Sequence, residues 1–144
     1  MTELVRIDAR SFKKFSSTLR KAAPELAVGM RVKLKAAGQI VADDAKSRSA
    51  YSTRIPGSIR VSIAAGKVTI VAGGAKAPDA GPLENKGLPG SFRHPVFGNR
   101  AVWVAQQARP FLHPALEAKK DEAMAAVAET LVETIETIAA ESEV

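Results

Sequence analysis

The sequence predicts an α+β domain: a small antiparallel sheet of three to four strands packed against N-terminal helices and a long C-terminal helix. Two observations predict it. Apolar residues recur at helical spacing in the first third of the chain and again in its last quarter, and between them they alternate as in strands. Helices gathered on either side of a run of strands, rather than interleaved with them, give the segregated α+β arrangement. With 144 residues there is material for one core and not for two, so a single domain is expected.

The first element read is a helix over DARSFKKFSSTLRKAA. Phe12, Phe15 and Leu19 share one side, Arg10, Lys13, Lys14, Arg20 and Lys21 the other, and Asp8 is placed to cap it. Pro24 interrupts or restarts the helix, because proline lacks the backbone donor. A second helix follows from about residue 24 to 48, with Leu26, Met30, Leu34, Ala37 and Val41 along one stripe. Val28, Val32 and Ile40 widen that stripe and predict burial on more than one side.

After YSTRIPG the period becomes two. Ile59, Val61 and Ile63 alternate with Ser58, Arg60 and Ser62, a turn falls at Ala65 and Gly66, and Val68 and Ile70 alternate in the return strand. Residues 72 to 92 are rich in glycine and proline and predict a long contact loop with at most a brief strand near Leu83. AVWVAQQ predicts a third strand, and the last helix begins near Phe111 to Pro114, proline being tolerated in a first turn. Its expected inner stripe is Leu116, Met124, Val127, Leu131, Ile135 and Ile138.

Charge is divided along the chain. Residues 1 to 115 carry 19 Lys/Arg against 7 Asp/Glu, whereas residues 116 to 144 carry 2 against 8. In the last helix Glu122, Glu129, Glu133, Glu136 and Glu143 form a line with no cation in it, a modest local cost that a basic surface opposite would offset. An acidic helix in one copy and a basic body in the next would make a head-to-tail contact, which closes into a ring when the rotation allows.

The chemistry of sites is sparse. The chain has no cysteine and only two histidines, which excludes disulfides and a thiolate or histidine-rich metal centre, so no metal or other cofactor is expected. Asp43 and Asp44 are neighbours on a helix and diverge by about 100°, His94 and His113 lack a recognisable catalytic partner, and neither a nucleophile elbow nor a phosphate-binding glycine motif occurs. No enzyme is expected. No apolar run reaches the roughly 18 residues of a membrane span, and the first residues lack a signal peptide's apolar segment, so a soluble protein made in the cytoplasm is expected. The basic excess leaves a DNA-binding accessory protein as an alternative function, through Lys13, Lys14, Arg20 and Lys21, without any sequence-reading motif.

One stretch is unusually stiff and aromatic: RHPVFGNRAVWVAQQARPFLHPAL, residues 93 to 116, holds three of the eight prolines and both histidines. Pro95 and Gly98 are expected to fix a bend, Phe97 and Trp103 to act as apolar anchors, and Phe111 and Leu112 to pin the last helix to the sheet. In HPVFG at 94–98, the Trp shortly after, Gln107, RPFLHPAL at 109–116 and, more loosely, PGSIRVSI at 56–63, the chain resembles the neck and tail-completion proteins of long-tailed bacteriophages. The resemblance spans about residues 30 to 120. Where members often have an aromatic residue leading into the acidic-glycine segment, this chain has GPLENKG.

The resemblance implies a non-enzymatic virion component at the neck or tail top. It implies a homo-oligomeric ring, by analogy a hexamer, between a capsid-side adaptor or head-closure protein and a tail terminator or tail tube protein. DNA would pass through the lumen with non-specific contact only. Subunit-interface residues are then expected on the basic body (Lys13, Lys14, Arg20, Lys21), in the aromatic stretch (Arg93, Phe97, Arg100, Trp103, Phe111) and on the acidic helix (Glu122, Glu129, Glu133, Glu136).

Overall fold

A computed structural model describes residues 4–9, 20–64 and 67–142. It has β1 (Leu4–Ala9), α1 (Pro24–Arg48), a one-turn α2 (Ile55–Ser58), β2 (Arg60–Ala64), β3 (Lys67–Gly73), α3 (Ala80–Glu84), β4 (Ser91–Val96), β5 (Asn99–Gln107) and α4 (Leu112–Ser142). The α+β class holds, but the strands form two sheets. One is antiparallel with order β1-β3-β2, and the other is the isolated hairpin β4-β5.

β2 and β3 pair as the alternation predicts, with Val61 opposite Ile70 and Ile63 opposite Val68; their turn lies outside the described residues. β1, on the other edge of β3, was not expected. Asp8 stands in this strand opposite Thr69, so it does not cap a helix. The basic helix read over residues 8 to 23 falls mostly outside the described residues, Lys13 and Lys14 included, although residues 20–22 are helical and Arg20 and Lys21 are exposed.

Helix α1 starts on Pro24, whose missing N–H costs nothing in a first turn. Glu25 near its start and Lys46 and Arg48 near its end match the helix dipole. It lies against β2 and β3 on one side and α4 on another, so it is buried on more than one side, though not through Val28 and Val32, which widened its stripe. Gly38 permits the close approach to the sheet: a Cβ there would stand 2.8 Å from Val61 Cγ1 and 2.9 Å from Val68 Cγ1. Met30, Leu34, Val41, Ile55, Ile63, Ile70, Leu83, Phe111 and Leu112 belong to the core this creates. Val28 and Val32, expected to be buried, are exposed, because the sheet and α4 leave that side of α1 uncovered.

α4 packs chiefly along α1 rather than across the sheet. Leu116, Val127, Leu131 and Ile138 lie against the core as expected, whereas Met124 and Ile135 are exposed. Two threonines, Thr130 and Thr134, occupy the inner face in their place. Thr130 Oγ1 donates to the Ala126 carbonyl at 2.9 Å and Thr134 Oγ1 to the Thr130 carbonyl at 2.8 Å, so each buried hydroxyl is satisfied within its own helix.

Candidate functional site: an exposed arm and its buried anchor

Residues 72 to 92 are not the long contact loop the composition suggested. β3 runs to Gly73, α3 tucks Ala80, Gly81, Leu83 and Glu84 into the interior, and Asn85, Lys86 and Gly87 follow with φ of 48°, 56° and 78°. This left-handed turn wraps the start of α4 closely enough that a Cβ on Gly87 would lie 2.6 Å from His113 Cβ. Asn85 holds its far side, donating from Nδ2 to the Leu88 carbonyl at 3.0 Å.

Glu84 is the center of this arrangement. Its side chain is fully buried, and its Oε2 accepts the backbone N–H of Phe111 at 2.7 Å and of Leu112 at 2.8 Å. Oε1 accepts the N–H of His113 at 2.7 Å and lies 2.6 Å from His113 Nδ1. An ionised carboxylate only accepts, so the ring presents Nδ1–H. The first donors of a helix have no partner within it, and a carboxylate both satisfies them and meets the positive end of the helix dipole. Sequence reading missed Glu84, since its partners lie 27 to 29 residues away along the chain. His113, which the sequence left without a recognisable catalytic partner, is bound to Glu84 through both its amide and its ring.

A second clasp sits beside the first. Tyr51 Oη donates to the Arg109 carbonyl at 2.7 Å, and the Arg109 guanidinium lies 3.9 Å from the centroid of the Tyr51 ring. Burial, chiefly, raises the Tyr51 phenol above its ordinary value of 10.0; the charge of Arg109 pulls the other way, and Glu84 and Asp79 add to the rise. Arg109 N–H donates to the Leu83 carbonyl and Ala108 N–H to the Gly90 carbonyl, both at 2.8 Å. The end of the hairpin is thereby fixed to the body.

From that fixed base the β4-β5 arm stands away from the core. Every residue of β5 is exposed. The expected bend at Pro95 to Gly98 is the tip of a hairpin: Phe97 and Gly98 have φ of 50° and 75°, the pair of positive values that a two-residue primed turn uses. Phenylalanine is strained by about 1 kcal/mol or more in that region, and its side chain is wholly exposed, at 104%. Below the tip, Pro95 faces Trp103 while Val96 faces Asn99, so Arg100, Ala101 and Val102 bulge from β5. Trp103 Nε1 spans the bulge and donates to the Arg100 carbonyl at 2.7 Å.

By register, Arg93, Pro95 and Trp103 lie on one face of the arm and Phe92, His94 and Val104 on the other. Phe92 reaches back to the core. Ten large apolar residues are exposed among the described residues, and four of them, Phe97, Val102, Trp103 and Val104, belong to this arm. A further three, Met124, Val132 and Ile135, are on α4. Isolated two-stranded hairpins are marginal in water, and the arm exposes apolar side chains on both faces.

Of the expected interface residues, Arg93, Phe97, Arg100 and Trp103 are brought together on the arm, and Glu122, Glu129 and Glu136 are exposed along α4. Phe111 is a correction. It is fully buried in the chain's own core, because the Glu84 anchor turns the helix start inward, and it presents nothing to a neighbour. Glu133 is engaged within its own chain by an ion pair with Lys33, and Glu122 is near Lys119, at 3.6 Å. The Lys33–Glu133 pair lies between two shallow grooves along the α1–α4 seam.

Among the described residues no group of three or more His, Cys, Asp or Glu could hold a metal ion, and no helix is long and apolar enough to cross a membrane. Compared with protein-family models, curated proteins and solved structures, the chain matches none.

Proposed function

We propose that this chain is a structural subunit of a ring in the neck of a long-tailed phage, joining the capsid connector to the tail tube around the path of the DNA. One observation carries the reading: a rigidly based arm holding bare aromatic and aliphatic side chains outward. Apolar patches of this kind mark protein interaction sites, and rigid aromatic anchors lose little entropy when they are covered. The HPVFG and RPFLHPAL segments that carry the resemblance coincide with the arm's tip and with the anchored start of α4. The split of charge along the chain favours contact between copies.

Antibody labelling of particles from producing cells, viewed by electron microscopy, tests the proposal. Label at the junction of capsid and tail is expected. Virions without label, together with a purified chain that retards duplex DNA at low salt and loses that retardation when Lys13, Lys14, Arg20 and Lys21 are neutralised, would instead establish the DNA-binding accessory role.

A further inference from the structure

We infer that the partner of the arm is α4 of the adjoining copy, a contact that rests on the ring reading and specifies its interface. On α4, Met124, Ala128, Val132, Ile135 and Ala139 recur at intervals of four, four, three and four and are all exposed. At about 100° per residue they form one stripe. On one side this stripe borders the part-buried Leu131 and Ile138, and on the other Glu129 and Glu136. The apolar face of α4 is thus wider than the body beneath it covers. An apolar strip edged by carboxylates is left open.

The arm has the complementary character. Between Ser91 and Gln107 it carries Arg93 and Arg100 and no acidic residue, with Trp103 beside Arg93 and Phe97 at its tip. None of Arg93, Arg100, Glu129 and Glu136 is ion-paired to a described residue of its own chain, so two cations and two anions await partners. The lengths also agree. A six-residue strand such as β4 extends about 20 Å, and the fifteen-residue advance from Met124 to Ala139 along a helix is about 22 Å. Two different surfaces of one chain that fit each other can join copies head to tail, the geometry that closes a ring, or reciprocally across a two-fold axis. The ring reading selects the first, and an assembly that stops at the dimer mass would overturn it. In the contact Trp103 and Phe97 cover the Met124–Ile135 stripe, while Arg93 and Arg100 face Glu129 and Glu136.

Charge exchange tests this contact separately from the location of the protein. One variant carries Arg93→Glu and Arg100→Glu, the other Glu129→Arg and Glu136→Arg; all four positions are exposed, and melting curves matching the parent verify folding. By sedimentation velocity and native mass spectrometry, the parent assembles and each variant alone is at least tenfold weaker in association. Mixed one to one, the variants recover assembly, because the reversed arm then meets the reversed helix and the parental arm meets the parental helix, opposite charges facing in both contacts. Variants that assemble like the parent, or a mixture that stays monomeric, overturn the arm–helix contact while leaving the ring reading in place. A parent that stays monomeric at hundreds of micromolar overturns it too, and the labelling of virions then decides the location by itself. Loss of DNA retardation in the arm variant of a monomeric parent would assign the arm to nucleic acid instead.

Discussion

Replacing Glu84 with glutamine exchanges one of two buried oxygens for an amide group that can only donate. Whichever oxygen is lost, a pair of hydrogen bonds goes with it: the Phe111 and Leu112 amides at 2.7 and 2.8 Å, or the His113 amide and ring at 2.7 and 2.6 Å. A bond to a charged group contributes about 1.5–3 kcal/mol, and an orphaned buried donor adds its own penalty. A loss of about 3–5 kcal/mol is expected for Glu84→Gln. In a chain of this size that corresponds to a fall in Tm of about 10 °C or more. Urea and thermal denaturation measure the total, and amide hydrogen exchange locates it, since residues 111–113 should lose protection before α1 does. A loss under 1 kcal/mol, or unchanged exchange at those three amides, would refute the role of Glu84 as the anchor of α4.

Two further predictions concern the same joint. Gly87→Ala should destabilise the fold by about 1–3 kcal/mol in chemical denaturation, since φ is +78° and the new Cβ would overlap His113; a neutral outcome would mean that the turn does not press on the helix start. For Tyr51, the raised phenol pKa means that the unfolded chain deprotonates first as pH rises. Stability is therefore fully present below about pH 10 and is lost as pH climbs from there through the folded pKa. Denaturation curves from pH 8 to 11.5 should show this alkaline loss in the parent and a shallower one in Tyr51→Phe, which starts lower by the missing bond to Arg109; identical slopes would contradict it.

What the sequence made legible was whatever depends on near neighbours. The alternation of Val61, Ile63, Val68 and Ile70 gave the β2–β3 hairpin, and Pro24 marked the start of α1. β1 was signalled by the alternation of Val5 and Ile7 with Arg6 and Asp8, but the stronger helical period that follows obscured it. The arm was half legible. AVWVAQQ reads as a strand, yet alternation cannot tell whether a strand joins the main sheet or only its own hairpin, because that depends on long-range pairing. Pro95, expected to fix a bend, stands within β4 instead, where proline is admissible because the strand has an open edge. Glu84 was illegible for another reason: its importance comes from three donors brought to it by the fold. Its neighbours Leu83 and Gly87 gave no hint of that role.

Trp103, the single tryptophan and a part of the exposed arm face, reports most directly on the assembly surface. Acrylamide quenching of its fluorescence, followed with protein concentration while mass is read on the same samples, reports whether assembly covers the arm. Quenching should fall and emission should move to shorter wavelength in step with the gain in mass. Assembly that leaves Trp103 as accessible as in the monomer would contradict the arm as the surface through which this protein builds its ring.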